Sequence, residues 1–219
     1  MGVARAAALA LIAALAATAS AAPAPRGVDW ASGLVTADGV GVADRHAPSP
    51  AVARGTSRRG AEDAARRELA ALIAKLPIAG GGTVATRAKD PAVRARLDAA
   101  VAHAHAVAAE PETDGAWRVT MAVPIEAIRQ ALAGGPRALP PAGDAAPVAV
   151  VVAGASAATP AIGWTFAGVR AAAIFVSVAP AWAASAPHAT AKRVKAGAID
   201  LDLAGTTPTA ATLFVVVQP

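Results

Sequence analysis

The sequence predicts an α+β protein: a two-layer α/β domain with helices on one side of a small sheet, followed by a β-rich C-terminal module. Three observations carry this. Apolar residues recur at helical spacing from Thr56 to Leu76, and strand-like alternation flanks that helix at Val28 to Val42 and at Ala116 to Val123. Beyond residue 147, no helical period of useful length appears. The predicted division is a signal peptide at 1–22, the two-layer domain at 28–133, a Pro/Gly-rich linker at 134–147 and the β-rich module at 148–219.

Met1 to Arg5 makes a short, positive start, and Ala6 to Ala17 is an unbroken apolar run. Ala19-Ser20-Ala21 then supplies the small residues of a signal-peptidase site, so cleavage is expected after Ala21 or Ala22. A run of about 12 apolar residues is short for a spanning helix, which needs roughly 20, and Pro23 and Pro25 follow at once. The expected location is therefore periplasmic or secreted. The chain has no cysteine, which rules out a lipobox anchor, disulfides and thiolate metal sites.

Val28 to Val42 reads as a strand or bulged hairpin, punctuated by Gly33, Gly39 and Gly41, and a Pro-containing loop from Arg45 to Ala53 follows. Ala61, Ala64, Ala65, Leu69, Leu72, Ile73 and Leu76 then mark one face of a helix. Its other side carries Glu62/Arg66 and Asp63/Arg67, i,i+4 pairs with the acid N-terminal. Pro77 ends it. Gly80-Gly81-Gly82 leads into Thr83 to Thr86, a short strand candidate, and Asp90 caps a second helix with Pro91 at its first position, running to about Ala108. Glu110 to Asp114 reads as an acidic loop before the Ala116 to Val123 strand, and Ile125 to Leu132 as a short helix. In the C-terminal module the strand-like runs are Val148 to Ala153, Val169 to Val178, Ile199 to Leu203 and Leu213 to Val217. The stretches Ala145 to Val169 and Ala171 to Ala191 carry no charge, but Gly, Pro and hydroxyl residues interrupt both, so no transmembrane span is expected in the mature chain.

The net charge of +5 is dispersed: the densest basic cluster, Arg58-Arg59 with Arg66-Arg67, is interleaved with Glu62, Asp63 and Glu68. Nucleic-acid binders concentrate charge on one face and add aromatics for stacking, whereas tyrosine is absent here and only three phenylalanines occur. No nucleic-acid partner is expected.

Gly154-Ala155-Ser156 follows an apolar run and resembles half of a nucleophile elbow. Thr159-Pro160 breaks the helix that should follow, however, and no histidine comes after Asp200 or Asp202. His103 and His105, two apart on a helix, point in different directions and cannot share a metal, while His46 and His188 sit in Pro-flanked stretches. Asp200 and Asp202 would share one face of a strand as its polar half. Gly80 to Gly82 lacks the G-K-[ST] of a phosphate cradle. No catalytic residue, metal or cofactor is therefore assigned. Of the four tryptophans, Trp30, Trp117, Trp164 and Trp182, most are expected as core anchors, and a surface-exposed one would mark a binding patch.

The stretch Val28, Trp30, Gly33, Val35, Ala37, Gly39, Gly41 fits a V-x-W-x-x-G-x-[IV]-x-A-x-G-x-G strand and resembles the opening of the LPP-twenty-like lipoproteins. In that family an alanine-rich amphipathic helix follows, and Ala61, Ala64, Ala65 and Leu69 fall where its face would lie. The family is related to the N-terminal domain of flagellar assembly protein T. The resemblance covers about Val28 to Ile128, carries no catalytic residues, and lacks the lipobox cysteine here. It implies an envelope-associated structural domain, peripheral to the outer membrane or the flagellar base. The leading expectation is a non-enzymatic protein contacting another envelope protein or itself. The alternative is a ligand-binding module with a pocket between the halves lined by Trp117 and Trp164, and a serine hydrolase using Ser156 or the Asp200/Asp202 pair stands third.

Overall fold

The computed structural model describes residues 26–135 and 148–219. The expected signal peptide, its cleavage site at Ala21 or Ala22, and most of the linker lie outside the described residues.

Strands β1 (Gly27–Asp29) and β2 (Leu34–Gly41) form an antiparallel hairpin. Asp29 closes its turn by accepting the N–H groups of Ala31 and Ser32. Helix α1 (Pro50–Lys75) starts six residues earlier than the apolar period suggests, so the end of the predicted loop is helical. The reason is local: the Ser49 side chain caps the Val52 N–H, and Pro50 sits at the helix start, where its missing N–H costs nothing. Ser57, Ala61, Ala65, Leu69 and Ile73 form the buried stripe of α1, which lies across β2 and the later strand β4.

Two segments depart from expectation. Thr83 to Thr86 is not a strand: Thr83 makes one bridge to Pro77, and the chain then turns into α2 (Val84–Arg87), whose first N–H bonds to the Leu76 carbonyl. Helix α3 (Pro91–Ala102), capped by Asp90, stops well short of Ala108. His103 closes it with ring Nδ1 2.7 Å from the Ala99 carbonyl, and β3 (His105–Pro111) takes the remaining residues, including Glu110 of the expected acidic loop. Pairing with β4 (Trp117–Pro124) outweighs the helical preference of alanine there. Helix α4 (Ile125–Ala133) follows and ends on left-handed Gly134. The first sheet is antiparallel throughout, in the order β1-β2-β4-β3, and its main core lies between β2, β4 and the helices.

Glycine has a specific task in β2. A Cβ on Gly39 would lie 2.0 Å from the Ala61 carbonyl oxygen, and one on Gly41 would lie 1.8 Å from that of Ser57. Helix backbone thus rests directly on strand backbone, and the Ser57 hydroxyl donates to the Gly41 carbonyl.

The second half is β-rich, as expected. Its strands are β5 (Ala149–Ala153), β6 (Thr165–Phe166), β7 (Val169–Arg170), β8 (Ala172–Val176), β9 (His188–Lys195), β10 (Ala198–Asp202) and β11 (Leu213–Val217). They form one sheet in the order β7-β6-β10-β9-β5-β11-β8. The two edge strands, β7 and β8, are joined through Ala171 alone, so the sheet has to curl until its edges nearly meet. Phe166 of β6 and Phe214 of β11, four places apart in that order, stack at 4.1 Å across the interior. Strands β5, β8 and β11 read as continuous apolar runs because two of them are covered on both faces: Val150 and Phe214 face the interior, while Val151 and Val215 lie beneath the crossover from β8 to β9.

Backbone joins the two halves. Ile78 and Ile162 form a parallel bridge, with Ala79 N–H to Ile162 O at 2.9 Å and Ile162 N–H to Pro77 O at 3.0 Å. Trp30 packs against both cores, its carbonyl accepting the Phe175 N–H and its ring meeting Phe175 edge-on at 6.1 Å.

Candidate functional site

Trp117 and Trp164 line separate hollows, which corrects the expectation of one shared pocket. They lie at opposite ends of β4, a strand of eight residues that extends roughly 25 Å at about 3.3 Å per residue. Pro124, at its far end, borders the Trp164 cleft, while Trp117 opens the strand beside the turn at residues 112–115.

The Trp164 cleft, of about 260 Å³, lies where the halves meet, between Gly33, Leu34 and Ile125 on one side and Ile162, Trp164 and Leu213 on the other. Trp164 is buried and donates its Nε1–H to the Thr159 carbonyl at 3.1 Å, so only its apolar body is offered. The charged groups are Glu126 and Arg129 on α4. Arg129 Nε and Nη2 reach the two Glu126 carboxylate oxygens at 2.7 and 2.8 Å, and Gln130 Nε2 adds a bond at 3.0 Å. The Arg129 side chain is only 10% exposed. The wall is otherwise mainly apolar, which suits a small molecule with an apolar body.

The Trp117 hollow, of about 410 Å³, is bounded by Pro50, Ala53 and Arg54 from α1 and by Glu112 to Ala116 from the β3–β4 turn. Arg58 lies over the Trp117 ring, 5.4 Å from its centroid. Trp117 Nε1 is buried and has no hydrogen-bond partner among the described residues. Glu112 is held by Arg118 at 2.8 Å, and Asp114 accepts the Ala116 N–H. The charged groups of the hollow are thus each engaged, Glu112 by Arg118, Asp114 by the Ala116 N–H and Arg54 by the Pro50 carbonyl, and the unpartnered indole nitrogen is buried behind them.

The other sequence-marked residues are dispersed. Ser156 lies exposed in the loop after β5, its hydroxyl bonded to no described residue. Asp200 and Asp202 lie on β10, where a register shift after Asp200 interrupts the ladder, and each faces its own cation: Arg193 at 3.0 Å and Lys192 at 3.2 Å. The hydrogen bond from Lys192, then that from the Ala204 N–H, holds Asp202 below the ordinary carboxylate range. Among the described residues, no three His, Cys, Asp or Glu side chains gather as a metal site would require. His188 opens β9, and His105 opens β3; neither lies in the loop or helix expected for it.

Sequence reasoning missed two surface features. Strand β3 is the edge of the first sheet, seven residues long and exposed on both faces along most of its length. Trp182, in the crossover between β8 and β9, is 58% exposed. The lack of charge from Ala171 to Ala191 was a usable signal for the second; the alanines of β3 gave no usable signal for the first.

No protein-family model matches the chain, and no curated protein matches it.

Proposed function

We propose that this is an exported, non-enzymatic, envelope-associated protein that works as a structural or assembly component through protein–protein contacts. The observation that carries the reading is β3: its outer edge leaves a row of backbone N–H and C=O groups without a neighbouring strand, available for an added strand. The register shift between Ala106 and Ala108 limits the length that pairs without interruption, a device that favours a specific short partner over open-ended stacking. The resemblance of the Val28 to Gly41 strand to LPP-twenty-like lipoproteins supports the same reading, as does the leader-like start of the chain. The partner is another envelope protein or a second copy.

Light scattering across a protein concentration series tests the self-association arm. The expected result is a rise in mass that Val107→Lys on β3 abolishes without lowering the melting temperature, since a lysine on an edge strand blocks pairing. For an envelope partner, a photo-crosslinker at Ala109 should give one discrete adduct in envelope fractions, lost in Val107→Lys. A strict monomer with no such adduct refutes the proposal.

A second reading, a ligand-binding module, is favoured by one observation: the mainly apolar cleft at the junction of the halves, with Arg129 and Glu126 at its wall. Thermal stability unchanged by a panel of amphipathic small molecules and metals removes it.

A further inference from the structure

Three polar side chains, Ser32, Glu126 and Arg129, border the cleft at the junction of the halves, and the rest of its lining is apolar or glycine. The Ser32 hydroxyl is engaged by the Asp29 carboxylate. Backbone on both walls is engaged as well: the Gly33 carbonyl accepts the Ile125 N–H at 2.8 Å, and the Ile162 carbonyl accepts that of Ala79 at 2.9 Å. Arg129 differs. It is only 8% exposed, and a guanidinium carries five N–H donors. Glu126 takes one from Nε and one from Nη2, which leaves both N–H groups of Nη1 without a partner among the described residues. Nη1 is not sealed in protein either, because the buried unpartnered side-chain nitrogens among the described residues are Arg66 Nε and Trp117 Nε1. The spare donors of Arg129 therefore open at the wall of the cleft.

The surroundings narrow what would take those donors. Glu126 neutralises Arg129, so the wall offers hydrogen bonds without net charge, and a second carboxylate seated on Nη1 would crowd that of Glu126. An ammonium group fares no better: the Glu126 oxygens already accept from Arg129 and Gln130, and Arg129 repels it. Leu34, Ile162 and the body of Trp164 supply apolar surface. The volume of about 260 Å³ lies just below the ~300 Å³ at which pockets for drug-sized ligands begin, which calls for a compact occupant. Apolar side chains of the same volume would often hold such a wall at least as well as a buried ion pair does, so the pair points to recognition.

We propose that the cleft binds a compact, uncharged small molecule, its apolar body on Leu34, Ile162 and Trp164 and one carbonyl oxygen accepting from Arg129 Nη1. This names the ligand class for the ligand-binding reading above and rests on it; the assembly reading stands or falls separately.

Three aromatic probes of nearly equal size test it: acetophenone, which carries a carbonyl, benzoate and benzylammonium. In the nitrogen-labelled full chain each of the four tryptophans gives one indole N–H resonance, and Trp164→Phe identifies that of Trp164. Acetophenone should shift this resonance saturably, with a Kd on the order of 1 mM for so small a molecule, and leave those of Trp117 and Trp182 in place. Benzoate and benzylammonium should bind at least about tenfold more weakly. Glu126→Gln removes the negative charge beside Arg129 and should turn the preference toward benzoate. Arg129→Met/Glu126→Gln removes the pair as a unit and should weaken acetophenone about tenfold; if that variant does not fold, Glu126→Gln alone decides. No saturable shift by acetophenone up to about 10 mM overturns the proposal, and the thermal panel described above then decides whether the ligand-binding reading falls with it. Benzoate or benzylammonium binding as tightly as acetophenone, or a preference unchanged in Glu126→Gln, overturns the ligand class and leaves that reading in place. Unchanged acetophenone binding in a folded Arg129→Met/Glu126→Gln chain overturns the role of Arg129.

Discussion

Replacing Gly39 by alanine places a Cβ 2.0 Å from the Ala61 carbonyl oxygen and 2.4 Å from the Ala65 nitrogen. Both are backbone atoms of α1, so no change of rotamer relieves the overlap. The helix has to retreat by more than 1 Å to restore an ordinary carbon–oxygen contact of about 3.3 Å. That retreat opens a gap along the stripe of Ala61, Ala65, Leu69 and Ile73, all buried against the sheet, and a gap of roughly 0.5–1 Å already forfeits a quarter to a half of the dispersion energy at each contact. Overpacking costs about 1–3 kcal/mol where side chains can yield; with backbone on both sides the upper end is expected. Restricting the unfolded chain returns only about 0.4–1 kcal/mol. The net loss of about 2–3 kcal/mol should lower the melting temperature by roughly 5–10 °C for a protein of this size. Thermal and urea unfolding followed by far-UV circular dichroism measure it. Gly55→Ala is the control: it lies in the same helix with nothing within 4 Å of the new methyl, and should raise stability by up to about 1 kcal/mol. A Gly39→Ala protein within about 0.5 kcal/mol of wild type would refute the reasoning, since it would mean that the helix yields freely.

Asp29 gives a pH prediction. Burial pushes its carboxyl upward, but hydrogen bonds from the Ser32 hydroxyl and from the Ser32 and Ala31 N–H groups outweigh this and hold it below the usual 3.8. A depressed carboxylate contributes stability that is present above the usual value and is lost as pH falls through the folded one. Asp29→Asn should therefore flatten the acid limb of the stability–pH curve below pH 3.8, and an unchanged limb counts against the turn bonds. Phe214→Ala, which removes one ring of the fully buried Phe166 stack, should cost about 3–5 kcal/mol in urea unfolding. A loss under about 1 kcal/mol would show that the curl of the second sheet does not rest on that stack.

Helix α1 was legible from Ser57 onward, where its buried stripe begins, and strands β2 and β4 because their buried residues are close together in sequence. Strand β3 was not. Three of its seven residues are alanine, most are exposed, and they become a strand only because β4 offers a ladder to pair with. Strand β9 was missed for a related reason: His188 to Lys195 carries three cations and little apolar alternation, and it is held between β5 and β10. Of the residues marked in the sequence, Trp164 lines the cleft where the halves meet and Trp117 does not. Its pairing with Trp117 failed because each tryptophan's neighbours come from elements distant in sequence.

The sequence alone determined the α+β class, the caps at Asp90 and Pro91, and the β-rich character of the second half, because all three follow from interactions within a few residues. It also placed glycine at 39 and 41 without saying why. The tertiary structure supplied the reason, a helix backbone lying on a strand backbone, and it decided which strands became edges and which tryptophan faced water. Edges and exposure depend on what packs next to what across long stretches of chain, and no local period records that.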